Sequence, residues 1–377
     1  MNIQGIAPRD DDCTLPTSSE GKLLVACAST VTRLAEVREL IGSGLDWQWI
    51  LSHAIDYGIA PLLYFHLKNS AEDGNIPSDI KRKLQSRFRQ SHVEGINRRI
   101  KLKEILLAFA SEGISIILLK GAALEALVYK SAGLRPMLDL DLMVMKTDLR
   151  AAAAVLRRLG YIPDESYRPE EWYRSHHHHL APYRSADGTI LVELHHHIVF
   201  PNAAMKIPAT DFWREARQVQ VGSVPALVLA PEHLLLTVCI HLSHGACFER
   251  SLRSLIDIAE ILRVYGEQIN WNQLVSDAAR YEVARSLYYA LWLASSITRV
   301  NVPLDILQSL RSEARISWAQ DTCLKSLIPR VVFPDFTRLP SWLIRDVIAG
   351  LVCPTRRGGL ARIFATRLRE RFGMAAG

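Results

Sequence analysis

Residues 138–144, LDLDLMV, set two aspartates inside an apolar run. An ionised carboxylate is costly to bury without a partner, so this heptapeptide restricts the fold more than any other stretch. Its alternation predicts a β-strand. Side chains on a strand alternate between faces, which sends Asp139 and Asp141 to one side and Leu138, Leu140 and Leu142 to the other. At about 4 Å, two like charges repel by roughly 4 kcal/mol at an effective dielectric of 20. A divalent cation removes that cost. Hard oxygen donors suit magnesium, with manganese as its substitute. The alternative is a wet strand end at which the two acids pair with Arg135 or Lys146.

A third acid strengthens the cation reading. Glu193 lies in a second apolar strand pattern, TILVELHHH, and His195 shares its face. If that strand lies beside 138–144, three carboxylates converge, and such a set can hold two metal ions for in-line phosphoryl chemistry. Lys120 and Gly121 follow the apolar run ISIILL and open a helical pattern. A glycine there admits close backbone approach, and the new helix offers free N–H groups to an anion. Lys120 adds positive charge, and Arg135 adds a planar fork for a second phosphate. The spacing is not that of a P-loop. The reading requires Glu193 to point at the two aspartates, with no salt bridge in place of the ion.

Elsewhere the chain reads as architecture. Helical periodicity dominates both flanks of a mixed segment. The pattern divides into a disordered N-terminus at 1–20, a helical region at 21–112, a catalytic core at 113–222, a second helical region at 223–355 and a basic amphipathic tail at 356–377. A long helix is predicted over 80–109, with a break near Gly95. Thr147 is expected to cap a helix over 148–159. Asp187-Gly188 is expected to turn a hairpin that ends in VELHHH. One internal echo recurs 224 residues on. Trp47, Tyr57 and Tyr64 match Trp271, Tyr281 and Tyr288, as though one helix-pair geometry were used twice.

The formal charge of +6 suits an anionic partner without naming one, and a nucleic acid is only one choice. Six cysteines, with no CxxC pair, argue against a disulfide framework and for the cytosol. The first residues lack the basic start and apolar core of a signal peptide. No stretch reads as a membrane span. The histidines at 176–179 and 195–197 could meet across the hairpin, with His178 near His195, but no regular ligand spacing completes a zinc site. His241, His244, Arg253 and Asp257 fall on two later helices, either lining a cleft or packing helix to helix.

Taken together, Lys120-Gly121, Tyr129, Arg135, the Asp139-Leu140-Asp141 pair and Val192 to His195 resemble the signature of the uncharacterised nucleotidyltransferase family of the polymerase-beta-like superfamily. The resemblance spans about 40 to 300. It implies an α+β fold, with a small mixed sheet inside helical extensions. It also implies magnesium-dependent nucleotidyl transfer from a nucleoside triphosphate. The acceptor could be a protein, a peptide, a small hydroxylated molecule or an RNA end. Asp139, Asp141 and Glu193 would then be the metal-binding carboxylates, and Lys120, Gly121, Arg135 and His195 would meet the nucleotide. Two departures stand out: Ala122 follows Gly121 where the superfamily carries serine or glycine, and Glu193 replaces the commoner aspartate. They leave room for a kinase-like transfer at the same site, or for a noncatalytic nucleotide-binding or partner-binding module.

Overall fold

The computed structural model describes residues 16–352 except 17, 32, 69–74, 130, 138, 165–167, 202–205 and 334–340. The basic tail and most of the N-terminal segment expected to be disordered therefore lie outside the described residues, as does Leu138. Five helices lead in: α1 (Ser19–Ala26), α2 (Leu34–Ile41), α3 (Trp47–Asp56), α4 (Ala60–Leu67) and α5 (Ser78–Ser111). The mixed segment follows as β1 (Ile117–Leu118), α6 (Lys120–Leu127), β2 (Asp139–Met143), α7 (Leu149–Arg158), β3 (Ile162–Pro163), α8 (Glu170–His176), β4 (Tyr183–Arg184), β5 (Leu191–His195), α9 (Ala209–Glu215), β6 (Arg217–Val221) and β7 (Val224–Val228). The chain then returns to helix in α10 (Pro231–Ile240), a π-helical turn at His241–Gly245, α11 (Leu252–Tyr265), α12 (Trp271–Arg280), α13 (Ala284–Thr298), α14 (Leu304–Glu313), α15 (Trp318–Val332) and α16 (Ser341–Val352).

The seven strands form one mixed sheet in the order β3-β4-β5-β2-β1-β7-β6. β2 runs parallel to β5 and β1 parallel to β7, while the other neighbours are antiparallel. This is the α+β architecture of a polymerase-beta-like core within helical flanks. Pro163 sits on the outermost strand, where a missing N–H costs no ladder bond. β1 is only two residues long, shorter than ISIILL suggests. The β6–β7 hairpin carries the sheet to Val228, past the expected core limit. Its VQV alternation is legible in the sequence but went unassigned there.

Two local expectations change. Helix α5 runs 34 residues without the break predicted at Gly95. Gly95 instead lets another backbone come close: a Cβ there would stand 3.2 Å from the Ala132 carbonyl carbon. On the facing loop Gly133 adopts φ +82, and a Cβ on it would overlap the Ser91 carbonyl. The two glycines thus press the loop before β2 onto α5. Thr147 does not cap α7, because Asp148 is the N-cap and no side chain bonds the free N–H groups. Thr147 donates to the Asp148 carboxylate at 3.1 Å instead.

The internal echo is structural. Asp46 caps α3 by accepting from the Trp49 N–H at 3.0 Å, and Asn270 caps α12 by accepting from the Gln273 N–H at 3.1 Å. Each helix ends at the matched tyrosine, passes one left-handed residue, and starts a second helix. The left-handed residue is Gly58 in the first copy (φ +66) and Glu282 in the second (φ +61). A side chain in that region costs roughly 1 kcal/mol. Glu282→Gly should therefore raise the unfolding free energy by up to about 1 kcal/mol, since its exposed pair with Lys206 contributes little. Gly58→Ala should lower stability by at least that amount. Urea unfolding of both variants checks the pair, and equal midpoints would contradict it.

Candidate active site

The parallel register of β2 and β5 puts Asp141 directly beside Glu193, and Asp139 beside Leu191. Asp139, Asp141, Glu193 and His195 therefore share one face, while Leu140, Leu142, Val192 and Leu194 are buried on the other. The Glu193 requirement is met: donor atoms of Asp141, Glu193 and His195 lie within 4.8 Å of one another. The second requirement is not met, because a salt bridge occupies Asp141. Lys120 Nζ and His195 Nε2 both donate to Asp141 Oδ1, each at 2.8 Å. His195 Nε2 lies 3.3 Å from Glu193 Oε2 as well. Lys120, expected on a phosphate, here rests on a carboxylate. It has a positive φ of 38°, an unfavourable value for lysine, at the sharp turn from β1 into α6. The Leu119 N–H donates to the Asp141 carbonyl at 3.0 Å and ties that turn to β2.

Charge balance follows from this geometry. Burial alone would raise the Asp141 pKa, but Lys120 and His195 outweigh it and hold the carboxyl far below its usual range. Burial likewise opposes charge on Lys120 and His195, and the carboxylates outweigh it, raising both. Glu193 is lowered despite burial by its bond from His195 and the nearby His179. Asp139 goes the other way. Burial and the charges of Asp141 and Glu193 push it up to about 6. Among the described residues Asp139 accepts no hydrogen bond. The site thus sets three carboxylates against two cations, with Asp139 the acid that keeps its proton longest.

A second network braces the loop that leads into β2. Arg135 Nε and Nη2 grip the Asp257 carboxylate, each at 2.8 Å, and the Tyr129 hydroxyl donates to Asp257 Oδ1 at 2.9 Å. Arg253 Nη1 donates to the Pro136 carbonyl at 3.0 Å. Arg98, buried in α5, reaches the Met137 carbonyl at 3.3 Å and the Glu125 carboxylate at 3.5 Å. Gly121 completes the packing. A Cβ there would overlap Met137 and stand 2.6 Å from Arg135 Nη1. The glycine is required by side chains above it, a reason separate from phosphate approach. Arg98 and Glu125 escaped the sequence reading because isolated charges in helical patterns look like a solvated face. Only Gly121 and Gly95, as small residues within helices, hinted at the close packing.

The remaining positions divide. His241, in the π-helical turn, keeps part of its surface exposed, while burial of its ring and the charge of Lys120 push it down to about 4. His244 bonds the Ser286 hydroxyl at 2.8 Å and faces α13 instead. The Asp187-Gly188 hairpin forms as expected, with Gly188 at φ +71. It brings the His178 ring to 5.4 Å and the His179 ring to 4.9 Å from that of His195, centre to centre. His179 Nε2 lies 3.6 Å from Glu193 Oε2. Among the described residues Cys27, Cys239, Cys247 and Cys323 form no disulfide, and no helix is long and apolar enough to cross a membrane.

A mixed seven-stranded sheet with helical flanks is consistent with a polymerase-beta-like core. The chain belongs to the uncharacterised nucleotidyltransferase family, whose model matches residues 43–299. That span runs from α3 to α13 and contains every residue of both networks above. Searches of curated proteins and of solved structures found no match. Family and buried Asp/Glu/His cluster together are consistent with a nucleotidyltransferase-type active site.

The raised Asp139 has a measurable consequence. An acid whose folded pKa lies above its unfolded value stabilises the fold at low pH, and the contribution is lost as pH rises through the folded value. For Asp139 the window runs from 3.8 to about 6. Without divalent ions, Asp139→Asn should gain stability over the parent across this window, by on the order of 2 kcal/mol. Denaturant midpoints against pH test it, and parallel curves for the two proteins would contradict it.

Proposed function

We propose that this protein transfers a nucleotidyl group from a nucleoside triphosphate to a hydroxyl-bearing acceptor, with magnesium as the metal. The observation that supports the reading best is the register of β2 and β5, which sets Asp141 beside Glu193 with Asp139 on the same face. The donor set fits the ion. Asp139 is raised because burial and its acidic neighbours penalise its charge, and a cation removes that penalty. Asp139, Asp141 and Glu193 would hold magnesium, or manganese in its place. When bound, the metal supplies charge for the triphosphate and lowers the pKa of the attacking hydroxyl.

The chain's own residues divide the remaining work. The Lys120 ammonium, fixed near the carboxylates by the strained turn, can exchange Asp141 for a phosphate oxygen. The Lys120–Asp141 salt bridge, on this reading, keeps a phosphate-binding cation at the site. Arg135 has two donors committed to Asp257, so it positions the loop carrying Pro136 and Met137, and through Gly121 the start of α6. His195 is raised by its carboxylate partners against the cost of burial. Asp139, pushed up to about 6, is the more basic carboxylate and accepts the proton of the incoming hydroxyl. The acceptor oxygen attacks the α-phosphorus, a new phosphorus–oxygen bond forms, the bond to the bridging oxygen breaks, and pyrophosphate leaves in line.

Incubation with α-labelled nucleoside triphosphates, magnesium and a cell extract should place label on an acceptor and release pyrophosphate. Asp139→Asn with Asp141→Asn should reduce labelling by at least roughly 100-fold; losing Asp141 strands the Lys120 and His195 partners and costs stability, so circular dichroism checks the fold and Asp139→Asn alone should repeat the loss. Release of nucleoside diphosphate instead would mean phosphoryl transfer, and binding without any product would mean a noncatalytic nucleotide site. A second expectation concerns Arg135. Arg135→Lys keeps the charge but loses the two-pronged grip on Asp257. It should lower turnover by about tenfold or more, with a smaller effect on triphosphate affinity. A loss confined to affinity would mean that Arg135 holds phosphate directly.

A further inference from the structure

Three successive histidines at the end of α8 have no part in the chemistry proposed above. The metal-ligating atoms of His177, His178 and His179 lie within 4.8 Å of one another. Their ring centres are 4.1 to 4.7 Å apart. Consecutive residues in an extended chain point to opposite sides, so three imidazoles on one point require the backbone to bend there. The chain does bend at His178, where it leaves α8 and pairs with the end of β5: the His178 carbonyl accepts from the His196 and His197 N–H groups, at 2.9 and 3.2 Å.

The polar atoms of these rings are handled as ligands are. His179 directs Nδ1 at the Leu180 carbonyl, 2.6 Å away, which fixes its proton there and leaves Nε2 with a free lone pair. A backbone carbonyl on the second nitrogen is a common way to set the tautomer of a metal-bound histidine. His177 Nδ1 and His178 Nδ1 are buried with no hydrogen-bond partner. Unpartnered buried polar atoms are unusual in folded proteins and call for an explanation. The Phe200 ring stands edge-on to both, with centres 4.4 and 4.5 Å away, and shields them from water. Among the described residues no lysine or arginine forms an ion pair within the cluster, and Glu193 stands 3.6 Å from His179 Nε2.

We propose that His177, His178 and His179 form a second metal site, distinct in chemistry from the carboxylate site, for a divalent transition-metal ion of the zinc type. Imidazole donors favour zinc, copper, nickel or iron over magnesium. The three rings supply three of the four positions of a tetrahedral zinc ion, and Glu193, 3.6 Å from His179 Nε2, lies next to the cluster. Glu193 belongs to the Asp141–Glu193–His195 group, so the two sites adjoin. The metal proposal itself stands on the histidine geometry and does not depend on nucleotidyl transfer.

Cobalt(II) is the probe, applied to the full-length protein without an affinity tag. The Asp139→Asn, Asp141→Asn protein should still bind one cobalt ion, with visible absorption of a four-coordinate centre, and a large excess of magnesium should not displace it. His177→Ala with His178→Ala should weaken that binding by at least roughly 100-fold. Because that double variant could fail to fold, the X-ray absorption spectrum of zinc bound to the Asp139→Asn, Asp141→Asn protein gives an independent count: two or three imidazole ligands are expected. An oxygen-only shell, displacement by magnesium, loss of binding in the aspartate variant, or unchanged binding in a folded histidine variant would each overturn the site.

Discussion

The structure depends on how two neighbouring strands place negative charge. Because β2 and β5 run parallel and in register, their acidic residues cannot spread apart, and no rotamer choice separates Asp141 from Glu193 by much. The protein meets this with the Lys120 ammonium and the His195 imidazole aimed at one oxygen of Asp141, and with an Asp139 carboxyl pushed up to about 6. Each device has a cost. Lys120 takes up a backbone conformation unfavourable for its type, and His195 is fully buried. Strain of this kind persists only where the surroundings over-determine it, and here the surroundings are a sheet edge to edge with a helix start.

The second network makes that placement rigid. Asp257 on α11 is the common acceptor for Tyr129 and Arg135, so the C-terminal helices hold the segment that enters β2. On the opposite side α5 holds the same segment by backbone proximity at Gly95 and Gly133 and through Arg98. The helical flanks are therefore part of the site's mechanics. A core excised at the sheet boundaries would lose both clamps.

What was legible in the sequence divides along physical lines. A two-residue period is local, so LDLDLMV and LVELH disclose their faces, while the adjacency of the two strands, only a condition in the sequence, is met by their pairing. The repeated tryptophan–tyrosine pattern also carried through, because caps and turns are set by nearby residues. Contacts that join distant residues left no local signal. Nothing in LRPM announces that Arg135 is bonded 122 residues away. A lysine after ISIILL reads as a free charge, and its engagement with Asp141 depends on a left-handed backbone that only tertiary packing imposes. Gly95 was misjudged for the same reason: a glycine in a helix suggests a break until a second backbone is found lying against it.

The two copies of the helix pair carry unequal burdens. In the first, the bare Cα of Gly58 lets Arg253 lie against it, at a separation that a methyl group would narrow to 3.3 Å, and Arg253 in turn reaches Pro136. In the second, Glu282 points toward Lys206 on the exterior. One hinge is thus geared to the loop that enters β2 and its twin idles. Random mutagenesis selected for function should accordingly leave position 282 diverse and purge position 58, although the backbone at both traces the same curve.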